Sequence, residues 1–277
     1  MSADPDAMSE HKLPAEIVAA KAYEEFFVPA LFGPWASRVA ARAQLQTGQH
    51  VLDVACGTGV LARETASRVV PTGFVAGVDP SAGMLAVARE LAPTIEWRRA
   101  TAEALPYPDQ RFDAVVSQFG LMFFGDRLRA LHEMGRVLKA GGRLVVAVWA
   151  SLDRAPAYAA EVALLERVAG TQAAEALRAP FALGDADELR RLIASAGIRE
   201  ATITTEVGVA RFSSIRFMVE ADLRGWLPMM GVNLSEEQIQ RTLQEAEHAL
   251  GSYVTPSGAM VFDLSAHLVS GTTSSGG

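Results

Sequence analysis

Four residues in the first third of the chain have the types and spacing of a cofactor site: Asp53, Gly57, Gly59 and Asp79. They fall in and after the segment 51–62, VLDVACGTGVLA. Val51, Leu52 and Val54 make a short apolar run, the pattern of a buried strand. Gly57 and Gly59 then remove Cβ where the chain must turn sharply and where a ligand touches backbone, and residues 60–69 run on as a helix. On spacing alone, Gly57, Gly59 and Ala62 fit G-x-G-x-x-A, and Asp79 lies 20 residues beyond Gly59, as in a nicotinamide dinucleotide site. Asp53 argues the other way. A carboxylate ending the strand just ahead of the glycines suits a cation better than an incoming pyrophosphate.

The surrounding elements position these groups. Residues 73–78 read as a second strand ending in Asp79, whose carboxylate there can accept from both ribose hydroxyls of an adenosine. A helix follows, with Pro80 and Ser81 at its start and Met84 in its first turn. Strands are predicted at 95–98 and 112–118, a helix at 128–138, and a fifth strand after the turn formed by Gly141 and Gly142. Further helices are expected at 156–169, 185–196, 215–226 and 235–250, and further strands at 201–209 and 259–268. Residues 1–14 have no periodic apolar face and are expected to form a flexible arm, and residues 271–277 a disordered tail.

The run D-V-A-C-G-T-G, the acidic end of the second strand, the stretch A-T-A-E-A-L-P-Y and the later F-D come in the order of the class I S-adenosylmethionine (SAM) methyltransferases. Residues 49–148 most resemble the ubiquinone/menaquinone-biosynthesis, methyltransferase type 11-like domain. The resemblance implies an α/β fold: a doubly wound, mostly parallel seven-stranded sheet, Rossmann-like, with an N-terminal helical prelude and a helical lid insertion. It implies one methyltransferase domain over residues 15–270, with a SAM-binding core at 49–150 and cap insertions at 151–182 and 211–256. It also implies SAM as cofactor, S-adenosyl-L-homocysteine (SAH) as product, and a small-molecule methyl acceptor.

Carried over residue by residue, the resemblance assigns the cofactor to Tyr23, Asp53, Ala55, Gly57, Gly59, Asp79, Pro80, Met84, Thr101, Ala102, Glu103 and Gln118. Thr101 stands where the family often has Asp, so a weaker hydroxyl acceptor replaces a carboxylate near the adenine amino group. Phe27 and Trp35 of the prelude, and Phe119 and Met122 beyond the fourth strand, are expected near the acceptor. Residues 211–232 carry more apolar surface than one helix stripe needs, which predicts a lid contributing Trp226 and Met230.

Bulk properties narrow the partners. A formal net charge of −7 and no basic run argue against a nucleic-acid face. One cysteine excludes an internal disulfide and a multi-cysteine metal site, so no metal is expected. No apolar run approaches a membrane span, no membrane insertion is expected, and the cytoplasm is the expected location. The five histidines supply no obvious base; His132 lies opposite its helix's apolar stripe and is expected to be solvated. Cys56 is read as a packing choice and Asp113 as structural. Neither the acceptor nor the oligomeric state follows from the sequence. Two other readings share the cradle: a non-catalytic SAM-binding protein, and an NAD-dependent oxidoreductase.

Overall fold

The computed structural model describes residues 5–272. Seven strands form one sheet: β1 (His50–Val54), β2 (Phe74–Asp79), β3 (Glu96–Arg99), β4 (Phe112–Gln118), β5 (Leu138–Trp149), β6 (Arg199–Phe212) and β7 (Met260–Thr272). Their order is β3-β2-β1-β4-β5-β7-β6. β1 lies between β2 and β4, parallel to both, while β7 runs antiparallel between β5 and β6. The chain therefore reverses its winding direction at β1 and β4, and a crevice opens beyond their carboxyl ends, where open α/β sheets take ligands. The doubly wound, mostly parallel sheet expected from the sequence is the one observed. Val51, Leu52, Val54, Val115 and Val116 are completely covered because helices lie on both faces.

The prelude differs from expectation at its start. Helix α1 spans Pro5–Ala22, so residues 5–14 are helical rather than a loose arm; residues 1–4 lie outside the described residues. A π-helical segment, Tyr23–Phe32, follows without a break, and α2 covers Gly33–Arg42. At the other end β7 runs through Gly271 and Thr272, the first two residues of the expected tail; residues 273–277 lie outside the described residues. Four helices match the sequence reading closely: α3 (Val60–Val69), α4 (Ala82–Leu91), α5 (Arg127–Val137) and α6 (Pro156–Ala169). His132 is exposed, as expected. Asp113 is structural: it accepts from the His50 backbone N–H at 2.8 Å and pairs with Lys139 at 2.8 Å.

The first insertion holds α6 and α7 (Thr171–Arg178), α8 (Ala186–Ser195) precedes β6, and the second insertion supplies α9 (Ile215–Ala221), the short α10 (Leu227–Met229) and α11 (Glu236–Ala249). The helix expected over 215–226 is interrupted, because Asp222–Trp226 forms a second π-helical turn between α9 and α10. Ser235 caps α11 in a complete capping box with Gln238. No helix among the described residues is long and apolar enough to cross a membrane.

Candidate active site

The glycine loop is shaped from below by one indole. A Cβ on Gly59 would stand 2.4 Å from Trp97 of β3, and one on Gly77 of β2 also 2.4 Å from the same ring. Gly59 has φ +88 and caps α3, so the backbone and the packing both require glycine there. The structure thus sets Gly59 against Trp97, and it is not among the cavity-lining residues. Gly59→Ala is expected to lower unfolding stability by about 2–4 kcal/mol, the sum of left-handed backbone strain and overpacking. Urea denaturation checks this, and a loss below about 0.5 kcal/mol would show that Trp97 moves aside freely.

Gly57, by contrast, lines the crevice and has φ +54. Its backbone N–H donates to Asp79 Oδ2 at 2.9 Å, and the Ser81 N–H donates to Asp79 Oδ1 at 2.9 Å. One carboxylate thus ties the glycine loop to the start of α4 while still facing the cavity. Burial raises the Asp79 pKa, and the N–H groups of Ser81 and Gly57 oppose that rise.

Asp53 is placed differently from expectation. It is 0% exposed and is not on the cavity wall. The Ala62 N–H is oriented to favour its charged form, yet neither carboxylate oxygen has a formed hydrogen bond among the described residues. Burial holds its pKa well above the usual carboxylate range, and the neighbouring Asp79 adds to the rise. Cys56 is buried beside it with its thiol pushed up by burial, the condition of an inert packing cysteine.

A cavity of about 700 Å³ opens above these groups. Ten of the twelve residues expected at the cofactor line it: Tyr23, Ala55, Gly57, Asp79, Pro80, Met84, Thr101, Ala102, Glu103 and Gln118. Asp53 and Gly59 do not. Of the residues expected near the acceptor, Phe27, Phe119, Trp226 and Met230 line it, while Trp35 and Met122 do not. Trp35 is 2% exposed, edge-on to Phe119 and Trp149 at 6.0 and 5.9 Å, and its ring fills the space that a side chain at Gly208 would need. Met122 is turned into the core by the tight turn Leu121–Phe123, and the flanking Phe123 and Phe124 face the cavity instead.

The cavity floor is built at the carboxyl ends of β1 and β4. Ala55 and Phe119 both hold positive φ, +59 and +56, a backbone state that side chains rarely adopt and that packing must enforce. For Phe119 the enforcing contact is Trp149, stacked at 3.7 Å and 11°. Gln118 donates from Nε2 to the Phe32 carbonyl at 3.0 Å, fastening the prelude to β4, and its buried Oε1 has no partner among the described residues. Tyr23 stacks on Phe32 at 5.2 Å, and burial raises its pKa, so the phenol stays neutral.

Several wall residues lie outside the sequence reading, among them Tyr158 and Asp222. Tyr158 sits in an insertion with no motif, and Asp222 opens a π turn that apolar periodicity cannot reveal. Three wall residues are acidic, Asp79, Glu103 and Asp222, and none of the lining residues is Lys, Arg or His. Among the described residues no group of three or more His, Cys, Asp or Glu could hold a metal ion.

The strand order, the glycine loop and the cavity at the winding reversal are those of the Rossmann-like methyltransferase fold. Residues 51–142 match the family model described as "Methyltransferase domain". Over 108 residues the chain is 44% identical to the ubiquinone/menaquinone biosynthesis C-methyltransferase UbiE of Pseudomonas savastanoi pv. phaseolicola, a match covering 37% of this chain and 42% of that protein. The chain thus spans less than half the length of this curated relative. Among solved structures it resembles phosphoethanolamine N-methyltransferase 2 of Haemonchus contortus, with a TM-score of 0.59, 18% identity, and 93% and 57% of the two chains covered. It also resembles the [4+2]-cyclase SpnF, with a TM-score of 0.52, 22% identity, and 88% and 82% covered. The two structural likenesses concern the fold.

Proposed function

We propose that the chain is a SAM-dependent methyltransferase acting on a small, mainly apolar or aromatic acceptor. The observation that carries the cofactor is the charge of the cavity: the carboxyls of Asp79 and Glu103, and no basic side chain on the wall. A dinucleotide brings a pyrophosphate with two negative charges, which such a wall repels, whereas SAM brings an ammonium and a sulfonium.

Asp79 would accept from the ribose hydroxyls, Met84 would pack against the adenine, and Thr101 and the Ala102 N–H would meet its edge. Bound SAM supplies a methyl group already activated by the sulfonium. The chain's own task is to hold the acceptor in line and to exclude water. The aromatic floor of Phe32, Phe119 and Trp149 and the lid residues Trp226, Met229 and Met230 supply the dry wall. The π turn directs Trp226, whose Nε1–H donates to the Ala176 carbonyl at 2.9 Å and so fixes the indole against the first insertion. A cytoplasmic location accords with the composition.

The fold also occurs in a protein titled a cyclase, so a SAM-binding protein with another task is the second reading. Ligand-dependent stability tests the first step. SAM and SAH at about 100-fold their Kd should each stabilise the protein by about 2.7 kcal/mol, and NADH should not. Stabilisation by NADH alone would overturn the cofactor reading, and SAM binding without transfer to any acceptor in a labelled-methyl screen would favour the second.

A further inference from the structure

On the wall formed by the two insertions, Tyr158 and Asp222 face the cavity, and Glu161 lies one helical turn beyond Tyr158 in α6. Glu161 is 0% and Asp222 3% exposed. Both Glu161 oxygens and Asp222 Oδ2 have no hydrogen-bond partner among the described residues. Burial raises both carboxyl pKa values, the charge of Asp222 raises Glu161 further, and no basic side chain among the described residues offsets either. Two such neighbouring carboxyls do not ionise together, so the pair carries at most one negative charge. Glu161 is enclosed; Asp222 alone opens to the cavity.

Three aromatic residues on the cavity wall accompany Asp222. Tyr158 and Phe181 lie 5.6 Å apart, and Trp226 is held by its bond to Ala176. Aromatic faces beside a carboxylate attract an organic cation, the faces through their quadrupoles and the carboxylate through charge and hydrogen bonds. Burial pushes the Asp222 pKa up to about 8, so a neutral hydroxyl leaves it largely protonated, whereas an ammonium brings the opposite charge and up to three donors and draws it into the ionised form. We propose that the acceptor is an apolar or aromatic molecule bearing a basic amine, whose ammonium is anchored at Asp222 among Tyr158, Phe181 and Trp226. This inference rests on the methyltransferase reading and assigns the class of its acceptor. Glu161, behind Asp222, is a positioning residue that shares the pair's proton.

The test is calorimetry on the full chain saturated with SAH, using three ligands on one skeleton: tryptamine, tryptophol and indole-3-acetate. Tryptamine should bind at least about tenfold more tightly than tryptophol, and indole-3-acetate should bind least. Asp222→Asn should bring tryptamine and tryptophol to equal affinity while SAH affinity stays unchanged. Glu161→Gln should keep the amine preference, because Asp222 can still carry the charge. Equal binding of amine and alcohol by the wild type, or no binding of the amine while SAH binds, overturns the proposal. So does a preference that survives Asp222→Asn, or an equal loss of SAH affinity in that variant, which would give Asp222 to the cofactor. If Asp222→Asn does not fold, the wild-type comparison alone decides. If SAH fails to bind but tryptamine preference holds, the cofactor reading falls and the amine site stands.

Discussion

Asp79→Ala should weaken SAH binding by roughly 30- to 150-fold, the loss of charge-assisted hydrogen bonds of about 2–3 kcal/mol. The carboxylate is 8% exposed, faces the cavity, and already accepts from Gly57 and Ser81, which leaves lone pairs for a ligand diol. Alanine also frees those two N–H groups, so some affinity is lost through a looser loop. Asp79→Asn separates the two effects. Its single carboxamide oxygen can keep one of the loop bonds, and its NH2 would face a donor at the other. Urea denaturation measures how far the loop has loosened, and calorimetry with SAH measures the remainder. If a variant as stable as wild type binds SAH with unchanged affinity, Asp79 has no part in the site.

Glu161→Gln should make the protein more stable than wild type at pH 8, by at least about 1.4 kcal/mol, the linkage equivalent of one unit of raised pKa. The sign follows from linkage. Burial, with Asp222 adding to it, holds the Glu161 pKa in the folded protein above the 4.5 of an ordinary glutamate. Between those two values the folded state binds more protons than the unfolded chain, so stability falls as pH rises through that window. Below the unfolded value both states are protonated and the penalty is absent. Glutamine has the shape of the protonated acid and no charge to lose. The difference between variant and wild type should therefore be small near pH 4 and should grow toward pH 8. Parallel pH profiles for the two proteins would mean that the Glu161 carboxyl ionises in the fold without cost.

The half of the cavity built on the glycine loop and Asp79 was legible because it is local. β1, the glycine turn and α3 are contiguous, and Asp79 ends the neighbouring strand at a fixed spacing, so residue types and distances along the chain carried the information. What the sequence misplaced depends on partners far away in the chain. Gly59 resembled a ligand contact because nothing nearby in the sequence shows that Trp97 fills its empty side. Trp35 resembled a wall residue, but Phe119, Trp149 and Gly208 enclose it. Asp53 has the right type at the right place and differs only in depth, which spacing does not encode. The acceptor half was legible as apolar surface and not as chemistry. Its carboxyl pair joins α6 to the turn after α9, about sixty residues apart, and neither residue belongs to a motif.

The cavity is framed on two sides by π-helical turns, Tyr23–Phe32 and Asp222–Trp226. A π turn holds one residue more than the α turn it replaces, and such bulges gather at functional sites. Each α-helical residue turns the chain by about 100°, so losing a single residue from Asp222–Trp226 would rotate everything C-terminal to it by more than a quarter turn. Trp226, Met229 and Met230 would swing off the wall together, while Asp79 and the glycine loop, on the other side of the sheet's crevice, would keep their places. A change of length at this one turn would therefore remake the lid side of the cavity and leave the glycine-loop side as it is.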